Sequence, residues 1–547
     1  MSPFSLLVVT VLAAAAFVAW PALQVRAFPL DDAWITQVIA RNFASTGVWG
    51  FEPGVASSGA TSPLWTLLMA PPHWIGFPAP ATWSFLWSAA LLAGFCAAVY
   101  ALRRRDGDEP ASAAALALLP AMLGNAAWLA ATGLEPLLLA ALTALAVLLW
   151  HRRSRWAGIA CGLVVLVRPE GLVIGPTLVV LGWLDPARRR PSEIARLLGP
   201  VAPAAAGTSA FSWVTSGGWL PTTFEGRRWL FGAQEFDLQR SLDLVRAWAS
   251  QLVERGLLAP RALALPIFAL ALVGAIGAFR RGGRLPAFGA LVVCALALNV
   301  PYLAMLPNIG HGGRYQPMNL LLFVPLTALG IVTLSRRLAP RARGLAVAIP
   351  LAVALACVPS LAHWRATTRD GVAHIEDAHA ALALWVAANV GRGEPIAAFD
   401  IGALAYGGKH RVLDLGGLVD RDYLPYLRSG RVPDWLREHD VRWLALPLDD
   451  VDGVPGLHLE RRLGLAGRPD LPLEPVVEFA TPREVWAPAF ADTGHALPRL
   501  VLFRVADVGP SSRARAYHPH PESNRSSPPG PAPSVPGPHP AAMPRIK

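Results

Sequence analysis

The sequence predicts an α-helical polytopic membrane protein of about eleven spans, followed by a C-terminal extracytoplasmic α/β domain. Three observations predict it. Of the 547 residues, 54% are hydrophobic and 16% are charged, against about 25% charged in a soluble domain. Several apolar runs approach the ~20 residues needed to cross hydrocarbon. The basic residues gather in short clusters between those runs, as they do where cytoplasmic loops retain positive charge.

The formal charge of +11 raises the question of nucleic acid. The basic residues form no stripe interleaved with aromatics, so the expected partner is the lipid bilayer and no nucleic acid. The four cysteines, Cys96, Cys161, Cys294 and Cys357, each lie inside an apolar run. None has the paired spacing of a zinc site or a disulfide framework. They read as small hydrophobes packed between helices.

The first span, residues 4–20, has no basic residue before it and no small-x-small cleavage site after it, so it reads as a retained helix. A polar stretch follows at 26–62. The segment 63–77 is broken by Pro71, Pro72 and Pro78, which predicts a re-entrant or interfacial piece. Further spans are expected at 82–102, 111–129 and 134–150. Two short segments, 156–167 and 172–184, meet at Arg168-Pro169-Glu170-Gly171. A span at 197–214, a long polar loop at 216–257 and four spans at 261–278, 286–306, 317–334 and 344–361 complete the series. Arg103–Arg105, Arg152-Arg153, Arg188–Arg190, Arg280-Arg281 and Arg336-Arg337 close the basic loops. Placing these in the cytoplasm puts the N-terminus inside. It puts Asp31, Glu135, Glu170, Glu225, Arg314 and the C-terminal region outside.

The transmembrane domain is thus read as 1–362. In 363–508 a helix-like stretch at 377–389 precedes strand-like runs at 395–399, 412–415 and 441–446, with a helix-like 433–439 between the last two. That alternation predicts the small α/β domain. Residues 509–547 are rich in Pro, Ser and His and nearly lack large apolar residues, as disordered tails do.

The first outer loop carries Leu30-Asp31-Asp32-Ala33-Trp34-Ile35 at the start of a short amphipathic helix. Two carboxylates beside a bilayer are costly unless they face water, a metal or a partner. One Asp suffices for a helix N-cap. Either is suited to act as a general base toward a hydroxyl, and the residues alone weigh the two roles evenly. Arg41 and Asn42 lie on the same helix, and Thr61 and Trp65 lie in the small-residue turn that follows. Glu135, Glu170 and His311 are further outer-side polar groups, with Arg168 beside Glu170 as a local ion pair. Arg314, in Gly313-Arg314-Tyr315, breaks the charge rule by sitting at an outer edge. A guanidinium there is suited to bidentate phosphate binding or to contact with lipid headgroups. Arg227 and Arg228 are weaker candidates of the same kind.

In order along the chain, these pieces resemble a known family. They are Asp31-Asp32-Ala33-Trp34-Ile35, Ala40-Arg41-Asn42, Phe51-Glu52-Pro53-Gly54, Thr61-Ser62-Pro63-Leu64-Trp65-Thr66, Thr132-Gly133-Leu134-Glu135 and Arg168-Pro169-Glu170-Gly171. Leu220-Pro221-Thr222-Thr223-Phe224, Gly313-Arg314-Tyr315, Asp400-Ile401-Gly402-Ala403 and Leu413-Asp414-Leu415-Gly416-Gly417-Leu418 continue the series. The set is similar to the GT-C membrane glycosyltransferases, closest to the group containing the mycobacterial terminal arabinofuranosyltransferases. Small residues stand at 55–60 where that group often has an acidic or aromatic residue.

The resemblance implies an enzyme moving a sugar from a polyprenyl-phosphate donor to an extracytoplasmic envelope glycan or glycolipid. Asp31 or Asp32 would be the catalytic acidic residue, with Arg314, Arg168 and Tyr315 holding the donor phosphate. Arg41, Asn42, Thr61, Trp65, Glu135, Glu170 and His311 would line the substrate site. No cofactor is required by the sequence, and a divalent metal is left open. The rival classes are a flippase for lipid-linked sugar, which would carry internal repeats and broken midplane helices, and a non-catalytic envelope assembly protein.

Overall fold

The computed structural model describes residues 1–184, 188–230, 236–279, 286–305, 311–339, 342, 344–408, 410–448, 459, 463–465, 467–485, 492 and 499–505. The expected disordered tail, 509–547, and the Arg280-Arg281 loop lie outside these residues.

Helix α1, Pro3–Val25, begins with Ser2 accepting from the Ser5 N–H at 3.1 Å. Leu7, Val11, Ala14, Ala15, Val18 and Ala22 form its buried stripe, at the spacing that aligns one helix face. Among the described residues, six helices are long and apolar enough to cross a membrane: Pro3–Val25, Pro80–Arg105, Arg261–Phe279, Ala287–Ala304, Pro317–Leu338 and Leu345–Asn389. Pro110–Ala121, Pro136–His151, Ala157–Val167 and Pro169–Gly182 are shorter apolar helices. The eleven expected runs therefore do not all become long helices, and proline accounts for much of the difference. The run at 111–129 breaks into Pro110–Leu118, a 3₁₀ turn at Leu119–Ala121 holding Pro120, and Gly124–Trp128. Val167 ends another helix because Arg168, before Pro169, is forced into the extended region at φ −156°. The expected re-entrant segment forms two short helices, Pro63–Met69 and Pro71–Trp74.

Helix α2, Asp32–Thr46, is the joint of the molecule. It ends at Gly47 in the left-handed conformation, φ 71°. Its Ala33 and Ala40 pack into the membrane-helix core. Its Ile35, Val38 and Ile39 pack instead with Ile396, Ala398, Leu404 and Val412 from the C-terminal region. Burying such side chains is worth about 1.5–3 kcal/mol each, so α2 ties the two parts firmly.

The C-terminal part holds a five-stranded mixed sheet in the order β2-β1-β3-β5-β4. β1 is Ile396–Ala398, β2 Val412–Asp414, β3 Trp443–Leu448, β4 Leu473–Ala480 and β5 Arg499–Val505. β1 pairs parallel with β2 and β3, while β5 pairs antiparallel with β3 and β4. Successive side chains on a strand face opposite ways. Ile396 and Ala398 accordingly face α2, and Ala397 joins Trp435, Leu436 and Leu444 on the other face. Helices Gly402–Gly407, Leu424–Ser429 and Val432–Glu438 lie between the strands in sequence.

Candidate functional site

The two adjacent carboxylates point apart, because successive helical residues are turned by about 100°. Asp31 is 2% exposed and gives its own helix no side-chain cap. Its Oδ2 accepts from the Gly402 N–H and its Oδ1 from the Ala403 N–H, both at 2.7 Å. His379 Nδ1 lies 3.5 Å from the same carboxylate. Asp32 instead lines a cavity of about 520 Å³ of atom-free space, mouth included, beside Arg314, Glu135, Thr61, Arg227 and Tyr315.

In the lining of that cavity Arg314 pairs directly with the Asp32 carboxylate through Nη2. The same nitrogen donates to the Tyr315 hydroxyl at 2.7 Å. Its other nitrogen, Nη1, is buried with no hydrogen-bond partner among the described residues. The same holds for Ser62 Oγ and Thr223 Oγ1, whose residues line the cavity. A buried polar atom without a partner costs about 1–3 kcal/mol, so three around one cavity mark a place built for a polar ligand. Guanidiniums of Arg314, Arg227 and Arg168 lie 4.8, 5.1 and 5.1 Å from the Tyr315 ring centre. Positive charge is thereby concentrated on one wall.

Arg168 stands behind that wall. It donates to Glu135 at 3.0 Å and to the Tyr302 hydroxyl at 2.6 Å, and lies 2.5 Å from Glu170. Tyr302 in turn donates to Glu170. The network fixes Glu135 at the cavity edge.

The remaining sequence-predicted residues are held elsewhere. Arg41 donates to the backbone carbonyls of Tyr406 at 2.8 Å and Ala405 at 3.2 Å. Asn42 donates to Phe51 O at 2.6 Å and Gly50 O at 3.2 Å. Trp65 is fully buried and donates to Gly133 O at 3.0 Å. His311 takes a left-handed backbone, φ 62°, with its ring 5.7 Å from that of Tyr315. The cavity thus collects Asp32, Thr61, Glu135, Arg314 and Tyr315. Arg168 and Glu170 brace it, and Asp31, Arg41, Asn42 and Trp65 brace the surrounding fold. Among the described residues no group of three or more His, Cys, Asp or Glu is arranged to hold a metal ion.

A second, apolar cavity of about 720 Å³ of atom-free space, mouth included, adjoins the first. Ala60 and Thr61 line both. Trp49, Val165, Leu166, Pro169 and Phe211 supply its greasy walls.

Sequence reasoning met the turn after β2 only as one motif of the resemblance and gave no site role to it, yet this turn builds the far wall. Asp414 accepts from the Gly416 N–H at 2.7 Å, the Val419 N–H at 2.7 Å and the Leu418 N–H. Asp420 accepts from the Asp414 N–H at 2.8 Å. The turn so formed presents Leu418 to the cavity. Thr222 and Ser57 grip it through the carbonyls of Leu418, at 2.5 Å, and Val419, at 2.8 Å. A Cβ at Gly226 would stand 2.5 Å from the Gly417 carbonyl oxygen, so this contact requires glycine. Burial pushes Asp420 up to about 7, with the Asp414 charge adding to it. Burial likewise pushes Asp414 up to about 6, against the pull of its backbone donors. Beside that motif, the spacing of two aspartates around a Gly-Gly pair was a sequence signal for the turn.

Residues 62–307 match the family model "Glycosyltransferase family 87", and residues 369–484 match a "Domain of unknown function (DUF8728)". No curated protein sequence matches the chain significantly. Among solved structures, ArnT from Cupriavidus metallidurans bound to undecaprenyl phosphate is similar at 15% identity and a TM-score of 0.51. That match spans 92% of this chain and 99% of ArnT. The oligosaccharyltransferase of Archaeoglobus fulgidus is 13% identical, with a TM-score of 0.48 over 80% of this chain and 68% of its own. The mycobacterial arabinofuranosyltransferase AftD is 16% identical, with a TM-score of 0.45 over 90% of this chain and 40% of its own. The chain thus shares the fold of ArnT along nearly its whole length, and its residues 62–307 resemble the family 87 glycosyltransferases.

Proposed function

We propose that this multi-pass membrane protein transfers a sugar from a polyprenyl-phosphate donor to a hydroxyl of an envelope glycan or glycolipid outside the cytoplasm, with an arabinofuranosyl donor as the first candidate. One observation carries the reading. A carboxylate and an arginine with an unpartnered buried nitrogen pair in the lining of one cavity, and an apolar cavity opens beside it.

In this reading the donor phosphate takes Arg314 Nη1, with Arg227 nearby, and the first prenyl units lie against Trp49 and Phe211. ArnT, whose fold is similar, was solved with undecaprenyl phosphate, which supports a lipid phosphate as the ligand. Asp32 takes the proton of the acceptor hydroxyl as the new bond to the anomeric carbon forms. The bond from that carbon to the phosphate oxygen breaks, and its electrons leave with the polyprenyl phosphate. Arg314 stabilises the charge that gathers there. Glu135, held by Arg168, borders the sugar position. Residues 1–362 form the transferase body, with the N-terminus in the cytoplasm. Residues 363–508 lie outside and position the acceptor.

The test is transfer by purified protein from arabinofuranosyl, glucosyl and mannosyl polyprenyl phosphates to envelope glycan extracted from a strain lacking the gene. Sugar transfer from one of them, lost in Asp32→Asn, supports the reading. Vesicle flipping of those lipids without transfer would replace it.

A further inference from the structure

We infer that Asp31 is a positioning residue: it clamps the start of α2 to the Gly402–Gly407 helix and so fixes Asp32 toward the cavity. The inference rests on the reading of Asp32 as the base. It assigns the neighbouring carboxylate a different task, and it makes the C-terminal sheet region part of the catalytic apparatus rather than only an acceptor handle.

Four observations carry it. Both Asp31 oxygens are engaged by backbone N–H groups at 2.7 Å, from residues 371 and 372 positions away. Hydrogen bonds to an ionised acceptor are roughly twice as strong as neutral ones, and without them a buried carboxylate is costly. Second, the contact leaves no slack. A Cβ on Gly402 would stand 2.2 Å from the Asp31 carbonyl oxygen and 3.0 Å from Oδ2. Third, the Asp31 side chain caps nothing in its own helix, so an N-cap role does not explain it. Fourth, nearly three turns further along α2, Arg41 donates to Ala405 and Tyr406 carbonyls at the other end of the same short helix. Helix α2 is therefore held to residues 402–407 at both ends of that helix, by an anion at its N–H end and a cation at its carbonyl end. Both match the helix dipole.

Asp32 is the residue next to the clamp. Its distance to the reacting hydroxyl follows from where the first turn of α2 sits. A displacement of about 1 Å in such a group lowers turnover about 100-fold. The donor side, Arg314 and Tyr315, belongs to another part of the chain, and the Tyr315 hydroxyl holds Arg314 Nη2 at 2.7 Å beside its contact with Asp32, so a shift of Asp32 reaches it only in part.

The experiment compares wild type, Asp32→Asn, Asp31→Asn, Gly402→Ala and the Asp31→Asn/Gly402→Ala double variant. It uses the full chain with the polyprenyl-phosphate sugar it turns over. Readouts are kcat, donor KM, the pH profile of kcat, and binding of undecaprenyl phosphate. Asp31→Asn and Gly402→Ala should each lower kcat about 100-fold while moving donor KM and undecaprenyl phosphate binding by less than the roughly tenfold expected from removing the Asp32 charge. Because they break one contact from its two sides, the double variant should be no worse than either single one. Multiplying losses overturn the inference. So does unchanged kcat in Asp31→Asn, or complete loss of turnover with disappearance of the acid limb of the pH profile. The last result makes Asp31 the base. Asp31→Asn alone decides the matter if Gly402→Ala does not fold. Full activity in Asp32→Asn defeats the reading of Asp32 as base, a result separate from the coupling between Asp31 and Gly402.

Discussion

Replacing Asp32 by Asn should separate binding from chemistry in opposite directions. Asp32 and a bound phosphate would share one arginine, so the carboxylate repels the ligand that the arginine attracts. At a separation of about 5 Å and an effective dielectric near 20, one like-charge pair costs about 3 kcal/mol. The Asp32 side chain is 20% exposed, and water and salt reduce the figure to about 1–2 kcal/mol. Since about 1.4 kcal/mol is a factor of ten, Asp32→Asn should bind undecaprenyl phosphate roughly tenfold more tightly. Arg314 stays in place in the variant, because the Tyr315 hydroxyl still holds its Nη2 at 2.7 Å. The assay is titration of detergent-purified protein with undecaprenyl phosphate at fixed low salt, alongside turnover. Tighter binding with turnover lost is the expected pair. Weaker or unchanged binding refutes the shared-arginine reasoning, whatever happens to turnover.

Arg168→Met strands Glu135 and Glu170 in a buried site, and breaking such a network costs about 3–5 kcal/mol. Denaturant unfolding in detergent should show that loss, and adding Glu135→Gln and Glu170→Gln should recover much of it. Gly226→Ala drives a methyl into the Gly417 carbonyl, an overpacking that costs about 1–3 kcal/mol. Limited proteolysis of the 414–420 turn should accelerate in the variant. Asp414 and Asp420 are pushed up from 3.8 to about 6 and about 7, so the folded state binds their protons more tightly than the unfolded chain. Stability should therefore fall as pH rises from about 4 to about 7 and level off above that. Thermal unfolding across that range measures the slope, and Asp420→Asn should flatten it.

Much of this molecule was legible from local chemistry. Charged groups at a membrane edge are costly, which singled out Asp31, Asp32, Glu135, Glu170 and Arg314. Arg314 stood out further because it broke the inside-positive pattern. Which of the two aspartates faces the cavity was not legible. Their fates are set by a helix turn and by backbone N–H groups 371 and 372 residues away, and neither leaves a local mark. Arg41 stood out only as an outer-side polar group on the loop helix, and its guanidinium is used on the Tyr406 and Ala405 carbonyls. Span lengths were overestimated where prolines cut apolar runs into short helices. β4 was not among the expected strands; it carries Pro475 and two glutamates, which interrupt a strand pattern. Its register shifts between Pro475 and Val477, an irregularity that lets an edge strand hold proline.

The most direct test of the central claim is a cryo-EM structure of the full chain with undecaprenyl phosphate. The phosphate should lie within hydrogen-bond distance of Arg314 Nη1, face Asp32, and send its prenyl chain past Thr61 into the cavity beside Trp49 and Phe211. A phosphate bound away from Arg314, or a chain leaving by another route, contradicts the account.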